Sequence, residues 1–280
     1  MADGTVLVRR RALGDVVLLG AITASGLLEP PVTVVTDPRF VPLAARLRGV
    51  DRAVAFGTPV SGRVVDLQRD LHTLRAFPGA QRVRKHSVAR WLRRRGWGEG
   101  RPSVPILYGR AAGVAPVEPP WIDVDEVPRA GLALLPGASC APKRWAPDRL
   151  AAVGRAWPGP VWVVGGPGEE ALVAEVAARV PRSVAVCGEA FPIDVLAACA
   201  VAVGGDTGLL HLAAAVGARP VAVFGPTHPD DGFFPYPTGR VVQRDLACRP
   251  CARHRLERCP LGHHRCMDID ASSVIAAVAR

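Results

Sequence analysis

Two aspartates stand where short apolar runs end, each beside a glycine. Asp206 lies in Gly204-Gly205-Asp206-Thr207-Gly208-Leu209-Leu210-His211-Leu212. The run Val201-Ala202-Val203 before it reads as a strand. The Ala- and Leu-rich run after it reads as a helix that Gly217 can end in the left-handed conformation. The first-turn N–H groups of such a helix, with its dipole behind them, suit a phosphate. Asp206 and Thr207 would stand on the rim, with His211 in the first turn. The same residues could serve as an N-cap and a buried core histidine, and this stretch alone leaves both readings open.

Asp15 is the second acid. Residues 5–9 read as a buried strand, 10–12 as a loop and 13–19 as the start of a helix. Asp15 then stands where the first strand of an α/β sheet ends, the edge at which open sheets bind ligands. A carboxylate there, next to Gly14, suits a general base, and an N-cap role is compatible with it.

The elements that must position these groups alternate along the chain. Strands are expected near 5–9, 32–36, 53–56 and 63–67, with helices near 16–27, 39–47, 70–77 and 87–95. Pro102, Pro105, Pro116, Pro119, Pro120 and Pro128 mark a linker between about 98 and 130. Beyond it, strands near 131–135, 161–164, 183–187, 201–203, 220–224 and 240–243 alternate with helices near 148–157, 168–180, 192–199 and 209–216. Such alternation predicts parallel sheets covered on both faces by helices. The chain of 280 residues, 49% of them hydrophobic, can bury one large or two modest cores. It has no apolar run long enough to span a bilayer. Arg9-Arg10-Arg11 before an apolar stretch mimics a signal peptide, but Asp15 interrupts it and a strand precedes it. A cytoplasmic location is therefore expected.

The two motifs, strand-Arg-x-x-x-Leu-Gly-Asp-Val-Val and Gly-Asp-Thr-Gly-x-x-His-Leu-Ala-Ala-Ala, resemble the bacterial heptosyltransferases of glycosyltransferase family 9. So do Val65-Asp66-Leu67-Gln68, Leu135-Pro136-Gly137-Ala138-Ser139 with Lys143-Arg144-Trp145, and Pro220-Val221-Ala222-Val223-Phe224-Gly225-Pro226-Thr227. The matches run in order from residue 5 to about 270. The tail Cys259-Pro260-Leu261-Gly262-His263-His264-Arg265-Cys266-Met267 most resembles the second heptosyltransferases of inner-core lipopolysaccharide assembly.

The resemblance implies an α/β protein of GT-B architecture, two Rossmann-like parallel-sheet domains facing a cleft. Residues 1–123 would form the acceptor-binding domain and residues 124–280 the donor-binding domain. The last helix, 271–279, is expected to cross back to the first domain, as in many GT-B enzymes. The implied reaction is inverting transfer of heptose from ADP-heptose to the inner core of lipopolysaccharide, without a catalytic metal, at the inner face of the inner membrane. Asp15 matches the family's base. Ser139, Lys143, Asp206, Thr207, Gly208, Leu209 and His211 match its donor-binding positions. Lys143 is one of only two lysines, with Lys85, in an arginine-rich chain, which suggests that a compact ammonium is wanted there. Some relatives carry a glutamate directly after the strand near 161–164. Here Gly165-Gly166-Pro167-Gly168-Glu169 follows, which leaves the role of Glu169 open, and the first domain is short for the family.

The net charge of +10 points to an anionic partner. Arg82, Arg84, Lys85, Arg90, Arg93, Arg94, Arg95 and Arg101 cluster around Trp91 and Trp97, opposed by Glu99. An exposed helix face, nucleic acid, or a phosphorylated sugar–lipid on an anionic membrane would each account for the cluster. Because the resemblance puts it in the acceptor half, Arg82, Arg84, Lys85, Arg90, Arg93 and Arg94 are assigned to the lipid acceptor, with no nucleic acid expected. Cys248, Cys251, Cys259 and Cys266, in the tail segment 248–266 with His254, His263 and His264, are candidate ligands for a structural zinc or iron. Reduced thiols that pack a loop are the other reading, and a cytoplasmic location argues against disulfides. A protein hydroxyl as acceptor, a nucleotide-sugar epimerase, and a basic nucleic-acid-binding module with a metal-stapled tail are the alternatives.

Overall fold

A computed structural model of the chain describes residues 4–84, 102–232, 234, 236–251 and 256–280. The helix expected near 87–95, with Lys85, Arg90, Arg93 and Arg94, lies outside them, as does His254.

Five short strands form the first sheet, β1 (Thr5–Val8), β2 (Thr33–Thr36), β3 (Arg52–Ala55), β4 (Arg63–Asp66) and β5 (Gln81–Arg82), with β-branched runs in β1, β2 and β4. Their order is β3-β2-β1-β4-β5, and every pair is parallel. Helices α1 (Leu13–Val17), α2 (Gly20–Thr23), α3 (Val41–Ala44) and α4 (Leu71–Ala76) connect them. The single helix expected over 16–27 is thus two short pieces.

The proline-rich stretch is not all linker. Helix α5 (Val104–Ala112) occupies its first part. Pro105 is tolerated in the first turn, where its missing N–H has no intrahelical partner, and Gly113 closes the helix at φ +80°.

The second sheet holds β6 (Gly131–Leu135), β7 (Val161–Gly165), β8 (Val184–Cys187), β9 (Cys199–Gly205), β10 (Arg219–Phe224) and β11 (Arg240–Gln243). Its order is β11-β10-β9-β6-β7-β8, again parallel throughout. Helices α6 (Pro147–Ala156), α7 (Glu170–Ala177), α8 (Ile193–Ala197), α9 (Gly208–Ala215) and α10 (Ala271–Ala279) cover it.

The strand order reverses between β1 and β4 in one sheet and between β6 and β9 in the other. In open α/β sheets the crevice at such a reversal, beyond the carboxyl ends of the strands, is where ligands sit. The segments that follow β1, β6 and β9 carry Asp15 in the first turn of α1, Ser139 with Lys143, and Asp206.

Helix α10 does not cross back to the first domain. Val274 and Val278 are buried in the second domain, and Arg219 donates to the carbonyls of Ala277 and Val278. An apolar face placed against α6 and β10 has its burial within its own domain, so nothing draws it away. The domains meet instead through α1 and α2 on one side and α9 on the other, with Trp121 buried between them.

Candidate active site

Asp15 sits in the third position of α1, and its Oδ2 accepts the Ala12 N–H at 3.2 Å. Its other oxygen receives the Arg9 guanidinium at 2.6 Å, and the buried Tyr108 hydroxyl lies 3.4 Å away. Arg9 also donates to the Leu67 carbonyl at 2.8 Å, which fixes it between β1 and β4. Burial alone would lower the Arg9 guanidinium, but the charge of Asp15 holds it above its ordinary value. Sequence reasoning missed both Arg9 and Tyr108. The strand-Arg-x-x-x-Leu-Gly-Asp motif fixed an arginine at position 9 without a role for it, and Tyr108 lay in the presumed linker.

The second domain supplies the complementary charges. Lys143 ends a short 3-10 turn, Ala141–Lys143, and is only 6% exposed. Its Nζ lies 2.6 Å from Asp206 Oδ2, at the end of β9. The pair leaves the ammonium beside the amino end of α9. There the first-turn amides of Gly208 and Leu209 have no intrahelical acceptors, and the Thr207 side chain makes no cap. Ser139 is exposed on the bend that follows β6. The sequence-expected donor positions Ser139, Lys143, Asp206, Thr207, Gly208, Leu209 and His211 thus all lie on the loops and helix that follow β6 and β9.

The two glycines of the motifs belong to each other. A Cβ on Gly208 would lie 2.8 Å from Leu13 Cβ and 3.0 Å from the Gly14 nitrogen. A Cβ on Gly14 would lie 2.6 Å from His211 Cδ2. Only bare backbone allows α1 and α9 to approach this closely, and the approach brings the Asp15 loop up to the Asp206 loop.

His211 packs between them. Its Nδ1 is 2.5 Å from the Tyr236 hydroxyl, and both rings are buried. Burial pushes His211 below its ordinary pKa of 6.5, against the opposing pull of Asp206 and Asp15. Burial likewise pushes the Tyr236 phenol well up. The pair is therefore a neutral imidazole bonded to a neutral phenol.

Glu169, whose role the sequence left open, folds back so that its carboxylate accepts the Gly166 N–H at 2.9 Å. It lies directly over Gly137, where a Cβ would come within 2.0 Å of the carboxylate.

In the first domain Arg82 and Arg84 line a cavity of about 440 Å³ with Gln81, Leu107, Arg110 and Ala111. Arg82 also donates to the carbonyls of Phe77, Pro78 and Ala80, so it shapes its own turn. Arg110, on α5, is a further cation that the reading of this stretch as linker overlooked.

In the tail, Cys266 is buried, and Cys248, Cys251 and Cys259 are partly exposed. Cys248 Sγ lies 4.0 Å from His263 Nε2. Among the described residues no three His, Cys, Asp or Glu side chains are arranged to hold a metal ion. The tail thiols, as they lie, do not form a tetrathiolate set.

Comparisons with known proteins bear on the family and the fold. A segment of 82 residues is 37% identical to lipooligosaccharide heptosyltransferase 2 of Campylobacter jejuni, covering 29% of this chain. That match spans about a quarter (25%) of the relative's length. Among solved structures, the glycosyl transferase family 9 protein of Veillonella parvula superposes with TM-score 0.74 at 16% identity, covering 100% of this chain and 97% of the other. The E. coli ADP-heptose lps heptosyltransferase II gives 0.69 at 17% identity, covering 100% and 98%. The iron-containing dodecameric glycosyltransferase TibC of enterotoxigenic E. coli gives 0.63 at 14%, covering 100% and 76%. At these identities the structural likeness is one of fold, and the fold is GT-B. A sequence profile matches residues 112–263, more than half of the chain. The chain belongs to glycosyltransferase family 9 (heptosyltransferase).

Proposed function

We propose that this protein is an inverting heptosyltransferase that moves heptose from ADP-heptose to the inner core of lipopolysaccharide, as a peripheral protein at the inner face of the inner membrane. The observation that carries the reading is the approach of Gly14 to Gly208 and His211. It sets a carboxylate from one domain opposite an ammonium and a helix amino end from the other.

The chemistry follows from that opposition. The diphosphate of the donor lies against the amides of Thr207, Gly208 and Leu209, with Lys143 and Ser139 beside it. Lys143 then exchanges part of its contact with Asp206 for a phosphate oxygen and stabilises the charge that develops as the diphosphate leaves. Asp15 takes the proton of the acceptor hydroxyl as it attacks the anomeric carbon from the opposite face, which inverts that centre. Arg9, the Ala12 N–H and Tyr108 hold the carboxylate in place for the transfer. Neutral His211 adds no competing charge beside the phosphates. Arg82, Arg84 and Arg110 give the anionic acceptor a cationic cavity in the first domain. No step is routed through iron or zinc.

The test is ADP release from ADP-heptose, with and without a heptose-deficient core acceptor. Acceptor-dependent release that Asp15→Asn abolishes while donor binding persists is the expected result. Donor that binds without release under any core acceptor would move the acceptor to another class, such as a protein hydroxyl. Donor that does not bind at all would overturn the reading.

A further inference from the structure

The tail lies behind the donor-facing loops and is tied to several of them. Arg249 donates to the Gly225 carbonyl and, at 3.0 Å, to that of Thr227, while the Cys251 N–H donates to Pro226 at 3.1 Å. These bonds hold the loop after β10. The Trp145 indole donates to the Ile269 carbonyl at 3.1 Å, so the chain just beyond Lys143 is also fastened to the tail.

A third fastening falls on Lys143 itself. The His264 Nε2–H donates to the Pro142 carbonyl at 2.8 Å. That carbonyl belongs to the peptide whose nitrogen is Lys143. On the other side, the Lys143 carbonyl lies against Gly205, where a Cβ would come within 2.5 Å of it. The backbone of Lys143 is therefore clamped between the end of β9 and the imidazole of a tail residue 121 positions later.

His264 takes this position with φ +46° and ψ +25°, a left-handed conformation that few non-glycine residues adopt, histidine, asparagine and aspartate more often than others. Such backbones persist where the surroundings over-determine them. Here the consequence of the conformation is an imidazole delivered to Pro142.

We infer that His264 is a positioning residue for Lys143: by holding the Pro142 carbonyl it sets where the ammonium meets a donor phosphate. The effect on the lysine stands on the geometry alone. The consequence for donor binding rests on the function proposed above.

The chain makes the test unusually clean, because Lys143 and Lys85 are its only lysines. Brief acylation with an amine-reactive ester, read by peptide mass spectrometry, reports on Lys143 directly, with Lys85 in the same sample as the dose reference. His264→Ala removes the donor and keeps the backbone strain. His264→Gly removes it and relieves the strain, so a folded ringless protein is at hand. His264→Gln keeps an N–H that reaches the same carbonyl. Loss of one hydrogen bond of this kind corresponds to roughly three- to tenfold.

Lys143 acylation should rise by about that factor in the Ala and Gly variants and return towards the unsubstituted level in Gln. The dissociation constant for ADP, measured calorimetrically, should rise in parallel. Unchanged acylation in both ringless variants would overturn the inference. So would an equal rise in Gln, since that would mean general loosening of the tail rather than loss of a bond. A rise in acylation without any change in ADP affinity would uphold the clamp and overturn the donor role of Lys143.

Discussion

In the proposed reaction Lys143 and Asp15 carry opposite halves, and each predicts a different kinetic loss. Lys143→Ala removes the ammonium proposed to contact the phosphates and leaves the half-buried Asp206 without it. Donor KM should rise and kcat fall, each by about tenfold or more, since such contacts are worth roughly 1.5–3 kcal/mol. Asp15→Asn should leave the donor dissociation constant within about twofold while turnover falls by roughly a hundredfold or more. Equal loss of donor affinity in the Asp15 variant would end its assignment as base. At this scale the sequence was informative where chemistry is rare. A lysine in an arginine chain and an aspartate after a strand both stood out. The motif fixed Arg9 but not its partner, because its turn onto the acid requires the register of β1. That register turns Arg9 onto Asp15 and sends Arg10 to Asp37.

The approach of α1 to α9 is the element on which everything above depends, and it makes the site sensitive to bulk and to pH. Gly208→Val would drive methyl groups into Leu13 and the Gly14 amide. Since the nearest atoms are the root of the Leu13 side chain and the Gly14 nitrogen, relief requires α1 and α9 to part. Activity should be lost with a modest fall in melting temperature, and a variant with ordinary turnover would show the contact to be dispensable. Protonation tests the same junction. His211 is held below 6.5 by burial, so the unfolded chain takes up a proton that the folded one refuses. Its contribution to stability is present above about pH 6.5 and is lost as the pH falls below it. The melting temperature should therefore drop between about pH 6.5 and 5, more steeply than in His211→Gln. Parallel pH profiles in the two proteins would place the loss elsewhere. Strand–helix alternation made most of these elements legible. Helix α5 was hidden because prolines that punctuate loops also start helices, as Pro105 does, and α10 was misplaced because periodicity gives a buried face without its partner.

Over the whole molecule, the two sheets are joined by a connection that is fastened on both sides. The N–H groups of Trp121 and Ile122 both reach the Ala215 carbonyl of α9, at 2.7 and 3.0 Å, while the Trp121 carbonyl accepts from Arg48 in the first domain. The Trp121 side chain packs on Gly20 of α2, where a Cβ would lie 2.4 Å from its Cβ and 2.8 Å from the indole Cγ, and the ring tilts against Tyr236, the partner of His211. A change in the angle between the domains must therefore disturb the contact that places His211. Trp121→Ala removes a wholly buried ring from this junction, which costs about 3–5 kcal/mol where the cavity does not collapse. Stability in urea should fall by that order. The domains should also gain freedom, so that ADP reduces the radius of gyration more in the variant than in the unsubstituted protein, by small-angle scattering. Loss of stability with an unchanged response to ADP would confine Trp121 to packing. A larger response would mean that the pinned connection holds Asp15 at working distance from Lys143 before any substrate arrives.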